Sequence, residues 1–361
     1  MNLFTGYTEL SFEVGRRRRS FLGATRTLDG GRYPIVRSTL NDRGVQYTIG
    51  AFEVPLGGRP VNFIRLEIVN TTRKPATAQV LGSVRYAANV KTQHGRTYFN
   101  PYRFNRPTPP PTQEGGYYNQ PGSVFTPKSK YSFAGTALVR DGAVLWDYPS
   151  PPRSVQVKRR LKGHKKVPNF RTRFGDTTFT IKLAGRARTA LEFRMPVVPV
   201  KPGSVPYRRI ASASFVAQKR RLVQMWRQQL VGAMGIDVPE RKVTDTFYTS
   251  LVNILMPRFR NAAGLWVQAV NKLRYQAFWL RDASVMTNAL DLAGLTAPAG
   301  DNLPFALTWQ APDGLYISRT GQLDGFGQTL WALGEHVFRA GDRDLAARAY
   351  NSVQRAMAWF E

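Results

Sequence analysis

The chain has 361 residues, 52 of them Lys or Arg against 23 Asp or Glu, for a formal net charge of +29. It has no cysteine, which excludes disulfides, cysteine nucleophiles and thiolate metal sites within it. With 42% hydrophobic and 12% aromatic residues it can bury a sizeable core, and its length suggests two domains.

No apolar run reaches the roughly 18 residues that a membrane-crossing helix needs. The first twenty residues, MNLFTGYTELSFEVGRRRRS, contain no apolar h-region and do not read as a signal peptide, which points to the cytoplasm. Its three histidines, His94, His164 and His336, are far apart, so a histidine-rich metal site is not expected. The basic runs Arg16 to Arg19 and Lys158 to Lys166 could attract nucleic acid, anionic lipid or acidic polysaccharide. They could equally form a solvated surface with no specific partner. No zinc-finger, helix-turn-helix or RNA-binding pattern with interleaved aromatics accompanies them.

The first two hundred or so residues read as β-structure. In Val61 to Val69 the residues Ile64, Leu66 and Ile68 share one face while Arg65 and Glu67 point away, as a half-buried strand requires. Gln46 to Val54 precedes it across a Gly57-Gly58 turn, and Thr77 to Tyr86 follows. Thr136 to Val139 and Ala143 to Trp146 flank Asp141-Gly142, a hairpin signal because both positions accept positive φ. Thr177 to Leu183 and Thr189 to Met195 look like a further strand pair. Two stretches read as loops: the proline-rich Asn105 to Gly122 and the basic Pro149 to Pro168.

The spaced prolines from Pro196 to Pro206 mark a linker, and the pattern then turns helical. Helices are expected over Ser214 to Met234, closed by Gly235, and over Pro239 to Met256; Arg258 to Arg281 is irregular or extended. Further helices are expected over Asp282 to Gly294, Asp301 to Trp309, Asp324 or Gly325 to Gly341, and Asp342 to Phe360. Asp282 and Asp324 are each candidate N-caps. Short connections between these helices argue for stacked antiparallel hairpins.

Two segments could carry chemistry. In Phe278-Trp279-Leu280-Arg281-Asp282, Trp279 offers a flat apolar face, Arg281 a fork of donors and Asp282 acceptors, the combination that a sugar ring needs. Gln322-Leu323-Asp324-Gly325-Phe326-Gly327 opens a later helix in the same way, with glycines that allow close backbone approach. Side by side, the two helix starts could share one cavity. The bland alternative is capping and turn chemistry. The glycine spacing lacks the Lys-Ser/Thr of a phosphate loop.

Tyr275 to Ala283 resembles the Trp-x-Arg-Asp segment of glucoamylase-type, six-hairpin glycosidases. Gln322 to Gly325, followed by Thr329 to Leu333, looks like their Gln-x-Asp-Gly helix start. The resemblance implies an antiparallel β-supersandwich over residues 1–205, a linker helix over 206–235, and over 236–361 an incomplete (α/α)6 helical-hairpin barrel. It implies an inverting glycoside hydrolase acting on an α-glucan or related oligosaccharide, with no cofactor. Arg281 and Asp282 would grip the sugar beside the scissile bond, Trp279 would wall the pocket, Asp324 would support the same subsite, and Trp266 and Trp309 would offer further stacking.

Inversion needs a carboxylic acid and a carboxylate base about 6.5–9.5 Å apart. In the family that pair lies on later hairpins, so here it is expected downstream of Glu361, with Glu335 and Glu240 as weaker candidates. The count of helices reads as a fragment, or as one half that a second chain would complete. A sugar phosphorylase and a non-catalytic carbohydrate or polyanion binder remain alternatives.

Overall fold

The computed structural model describes residues 2–5, 8–21, 24–86, 130–149, 151, 154–161, 173–198, 200–270 and 278–361. The expected loop over 105–122, the basic residues 162–168, His94, His164 and the segment Tyr275 to Ala277 lie outside this set. The described residues form two compact units that divide between Gln224 and Met225.

The strands of the first unit are, in chain order, β1 (Asn2–Thr5), β2 (Thr8–Val14), β3 (Arg19–Ser20), β4 (Arg26–Asp29), β5 (Tyr33–Asp42), β6 (Val45–Leu56) and β7 (Arg59–Asn70). They continue with β8 (Ala76–Tyr86), β9 (Tyr131–Ala134), β10 (Ala137–Arg140), β11 (Ala143–Trp146), β12 (Val155–Leu161), β13 (Arg173–Leu183) and β14 (Arg188–Pro196). One sheet runs β1-β2-β8-β13-β12 with β3 beside β2, and a second runs β14-β7-β6-β5-β4; every pairing is antiparallel. A small sheet, β11-β10-β9, adjoins β14 through the Asp147–Arg194 bridge.

Alternation dictates how the large sheets meet. Phe12, Val80, Phe179 and Ile181 of the first share one buried cluster with Tyr47, Ile49, Ile64, Leu66, Ile68 and Phe193 of the second. The cluster is the filling of a sandwich. Its aromatic centre is Phe193, with ring centroids 4.8 Å from Phe12, 5.5 Å from Trp146 and 5.6 Å from Phe179. The β6–β7 face turned away from this core carries Phe52 stacked on Phe63 at 5.7 Å.

The tight turns are where sequence chemistry placed them. Gly57 and Gly58 have φ of 60° and 75°, and Asp141 and Gly142 have 50° and 78°, the left-handed pairs of hairpin turns. Asn70 holds a less regular corner. Its amide donates to the carbonyls of Lys74 at 2.8 Å and Ala184 at 2.9 Å, while its Oδ1 accepts from the Thr72 amide at 3.0 Å. Gly185 belongs to the same corner, since a Cβ there would stand 2.0 Å from the Arg73 carbonyl oxygen.

Several expectations are corrected. Thr177 to Leu183 and Thr189 to Met195 are strands but do not pair with each other: β13 joins β8 and β12, and β14 joins β7 in the opposite sheet. Residues 155–161, within the expected loop, form β12 at a sheet edge, where Lys158 and Arg160 can face water while the backbone pairs with β13. Part of the expected linker is helix α1 (Val205–Ser212), started by Ser204, whose hydroxyl accepts from the Tyr207 amide at 3.3 Å, with Pro206 in the first turn.

The remaining elements are α2 (Phe215–Gln229), α3 (Arg241–Leu255), a hairpin of β15 (Arg258–Arg260) and β16 (Trp266–Gln268), α4 (Leu280–Leu292), α5 (Thr296–Leu307), α6 (Asp324–Ala340) and α7 (Arg343–Phe360). The expected helix over 214–234 thus stops at Gln229, and the chain turns at Gly232, with φ 90°. The helix expected from Asp301 starts at Thr296, because Pro298 falls in its first turn, where no amide partner is required. Helix α6 ends at Gly341 in the left-handed region, and Asp342 caps α7 by accepting from the Leu345 amide at 2.8 Å. No helix among the described residues is long and apolar enough to cross a membrane.

Phe193→Ala removes the aromatic hub of the sandwich and is expected to cost about 3–5 kcal/mol. Urea unfolding monitored by fluorescence checks this; a loss below about 1 kcal/mol would mean that the sheets do not depend on that contact.

Candidate functional site

Helices α4 and α6 pack side by side with their first turns together. The contact is close because position 325 has no side chain: a Cβ on Gly325 would lie 3.1 Å from the Leu280 Cβ. Gly327 faces open space and is not part of this approach. The consequence is a charged cluster at the paired helix starts. Arg281 donates from Nη1 to Asp324 Oδ2 at 2.9 Å, and its Nη2 lies 3.5 Å from Asp282 Oδ2.

Neither acid is an N-cap, contrary to expectation. Trp279 holds that position for α4 and Leu323 for α6, so Asp282 and Asp324 sit in the first turns. Their charges still complement the helix N-termini. The Leu280 amide is met instead by Ser318 Oγ at 3.0 Å, from the loop that precedes α6. The hydrogen bond from Arg281 holds the Asp324 carboxyl below its usual value, and the same bond together with the Asp282 charge raises the Arg281 guanidinium. The side chains of Arg281, Asp282 and Asp324 keep 40%, 30% and 45% of their exposure, so a ligand can reach all three.

Trp279 stands at the edge of this cluster, but the Arg319 guanidinium lies 4.4 Å from its ring centroid. The cation covers one side of the ring, leaving less of the apolar face that the sequence reading assigned to it. Burial lowers the Arg319 pKa. Ser318 and Arg319 were not legible as site residues, because they belong to a loop without any motif. That loop is pinned from below: Tyr316 lies 2.5 Å from Ser352 Oγ, which donates to Gln310 Oε1 at 2.6 Å. Gln328, one turn along α6 from Asp324, has a buried Oε1 that meets no donor among the described residues.

The other tryptophans are elsewhere. Trp309 packs into the core beneath this loop, stacked on Phe278 at 5.5 Å and edge-on to Phe305 at 6.2 Å. Trp266 lies against the guanidinium groups of Arg258 and Arg260, at 4.6 and 4.9 Å, and lines a separate cavity of about 570 Å³ with Thr296, His336 and Asp342. His336 is twelve residues along α6 from Asp324, about 18 Å by helical rise, so this cavity and the Arg281 cluster are distinct. Glu335 is bound to Arg339 at 2.7 Å at the same remote level, and Glu240 sits exposed at the start of α3. Neither joins the cluster. Among the described residues no three histidine or carboxylate side chains are grouped to hold a metal ion.

No protein family matches the chain, and no curated protein matches it. Among solved structures it is similar to a bacterial glucoamylase complexed with acarbose, at 11% identity and a TM-score of 0.54, over 98% of this chain and 52% of that one. Over that length the two share a fold. Weaker likenesses are to a putative kojibiose phosphorylase from the human microbiome (8% identity, TM-score 0.45, 93% of this chain and 46% of that one) and to a glycosyl hydrolase of family GH92 (14%, 0.24, 89% and 46%). The chain therefore spans about half the length of the solved structures it matches.

His336 supplies a pH-dependent tie in the helical unit. Its Nδ1 bonds the buried Asp291 of α4 at 2.9 Å, and its Nε2 lies 3.5 Å from Asp342. The hydrogen bond to Asp291 raises its pKa above the ordinary value, outweighing burial. A raised folded pKa stabilises fully below the unfolded value of about 6.5, and that contribution fades as pH climbs through the folded value. The stability lost in His336→Asn is therefore expected to be larger near pH 5.5 than near pH 8.5, by denaturant unfolding at both. An equal loss would show that the imidazolium charge contributes nothing.

Proposed function

We propose that this chain is part of a glycoside hydrolase acting on an α-glucan or related oligosaccharide, with the sugar held at the paired starts of α4 and α6. The observation that carries the reading is the bridging of Asp282 and Asp324 by Arg281 at two helix N-termini, in a chain with a glucoamylase-like fold. A pyranose presents adjacent hydroxyls that both donate and accept. The free lone pairs of the two carboxylates accept from such hydroxyls, and the remaining guanidinium hydrogens donate to a sugar oxygen.

In this reading Arg281 is a binding and positioning group. It orients the two carboxylates and keeps Asp324 ionised as an acceptor. Asp282 grips the sugar, Asp324 extends the acceptor row, and the uncovered part of Trp279 bounds it. None of these residues is assigned proton transfer. Hydrolysis with inversion needs an acid and a base on either side of the scissile bond, separated enough to admit a water, and that pair is assigned to residues other than the Arg281 cluster. Helical hairpins beyond those described would complete an (α/α)6 barrel.

Asp282→Asn keeps the shape of the side chain and removes its charge. Titration calorimetry with a maltooligosaccharide, or with acarbose, is expected to show affinity reduced by at least tenfold, about 1.4 kcal/mol, while the melting temperature stays within a degree or two. Unchanged affinity with unchanged melting would remove Asp282 from the site. Asp324→Asn should behave in the same way but more mildly.

A further inference from the structure

One end of the β-sandwich concentrates positive charge from turns that are far apart in sequence. Arg16 to Arg19 follow β2, Arg43 lies between β5 and β6, Arg73 and Lys74 lie between β7 and β8, and Arg186 lies between β13 and β14. Backbone bonds knit these turns together: the Thr71 amide donates to the Gly44 carbonyl at 2.8 Å and the Arg186 amide to the Thr72 carbonyl at 2.8 Å. Arg19 donates from Nη1 to the Asn41 carbonyl at 2.6 Å. All of these cationic side chains are exposed, and Asp42 is the single carboxylate within these turns.

The same end holds a cavity of about 700 Å³ lined by Arg16, Arg43, Lys182 and Asp42, with the buried ring of Tyr47 behind them. Among the described residues Arg16, Arg43 and Lys182 have no carboxylate partner, while Asp42 has Arg19 at 3.9 Å. The backbone supports this charge at an energetic cost. Arg18, Arg43 and Arg186 have φ of 53°, 48° and 61°, a region where glycine or asparagine is less strained.

We propose that this end of the sandwich binds an acidic polysaccharide, a chain of repeating sulfate or carboxylate groups. A single small anion needs two or three cations, whereas this surface offers many, spread from the cavity to the surrounding turns. Single-stranded nucleic acid is held by aromatic platforms as well as charge, and among the described residues the turns and cavity rim present no exposed aromatic side chain, Tyr47 being only 1% accessible. The proposal stands apart from the sugar reading for the helical unit.

The test is fluorescence anisotropy of the whole chain with a labelled heparin hexasaccharide, a neutral maltohexaose and an oligo-dT of similar length. Binding of the sulfated probe is expected to weaken by about tenfold or more between 50 and 200 mM salt, with no salt-sensitive binding of the neutral one. The triple variant Arg16→Ser, Arg43→Asn, Lys182→Ser should lose about tenfold in affinity at unchanged melting temperature and show a shallower salt slope. A control that removes three exposed cations elsewhere, Arg26→Ser, Lys158→Ser and Arg160→Ser, should stay within twofold. Should the triple fail to fold, Arg16→Ser and Lys182→Ser singly are each expected to weaken binding about threefold. Equal weakening by both triples, tighter binding of oligo-dT than of heparin, or no binding of heparin would each overturn the proposal.

Discussion

The first turns of α4 and α6 can touch because residue 325 has no side chain. That contact lets the Arg281 guanidinium span from its own neighbour, Asp282, to Asp324, forty-three positions away in sequence. A β-carbon at 325 would push against Leu280 and separate the helix starts. The cluster then assembles itself. Two like charges would repel if brought together alone, and the cation between them makes their approach favourable while leaving outer oxygens for a ligand. The loop carrying Ser318 and Arg319 completes it, held by the Tyr316–Ser352–Gln310 chain.

The β-sandwich follows a different logic. Its interior is an aromatic and aliphatic filling centred on Phe193, and that filling fixes which strands face one another. Once the sheets are packed, the turns at each end are forced into proximity whatever their composition. At one end the charged residues of these turns are cations, with Asp42 beside them. Part of the +29 net charge is therefore gathered at that end, around a cavity.

Much of the fold was legible. The alternation of Ile64, Leu66 and Ile68, the Asp141-Gly142 turn, and the helix stop at Gly341 all depend on a few neighbouring residues, and each behaves as its local chemistry requires. Errors arose where a distant partner decides. The segment 155–161 looks like a solvated basic loop, yet β13 supplies a full ladder for it. β13 and β14 look like hairpin mates, yet sandwich packing sends them to opposite sheets. Trp266 and Trp309 have the residue type of a stacking platform, but one lies against two arginines beside a remote cavity and the other packs into the core.

The candidate site divides along the same line. The sequence by itself determined that Trp279, Arg281, Asp282 and Asp324 would lie at helix starts, because helix periodicity and the residues that begin a helix are properties of short stretches. It also determined a cation-rich chain without cysteine chemistry. Only the tertiary structure decided that Asp324 meets Arg281, that Arg319 covers part of Trp279, and that Arg16, Arg43 and Lys182 surround one cavity. Those juxtapositions follow from which helices and sheets pack together, and packing is settled by the burial of whole faces, to which no local run of residues has access.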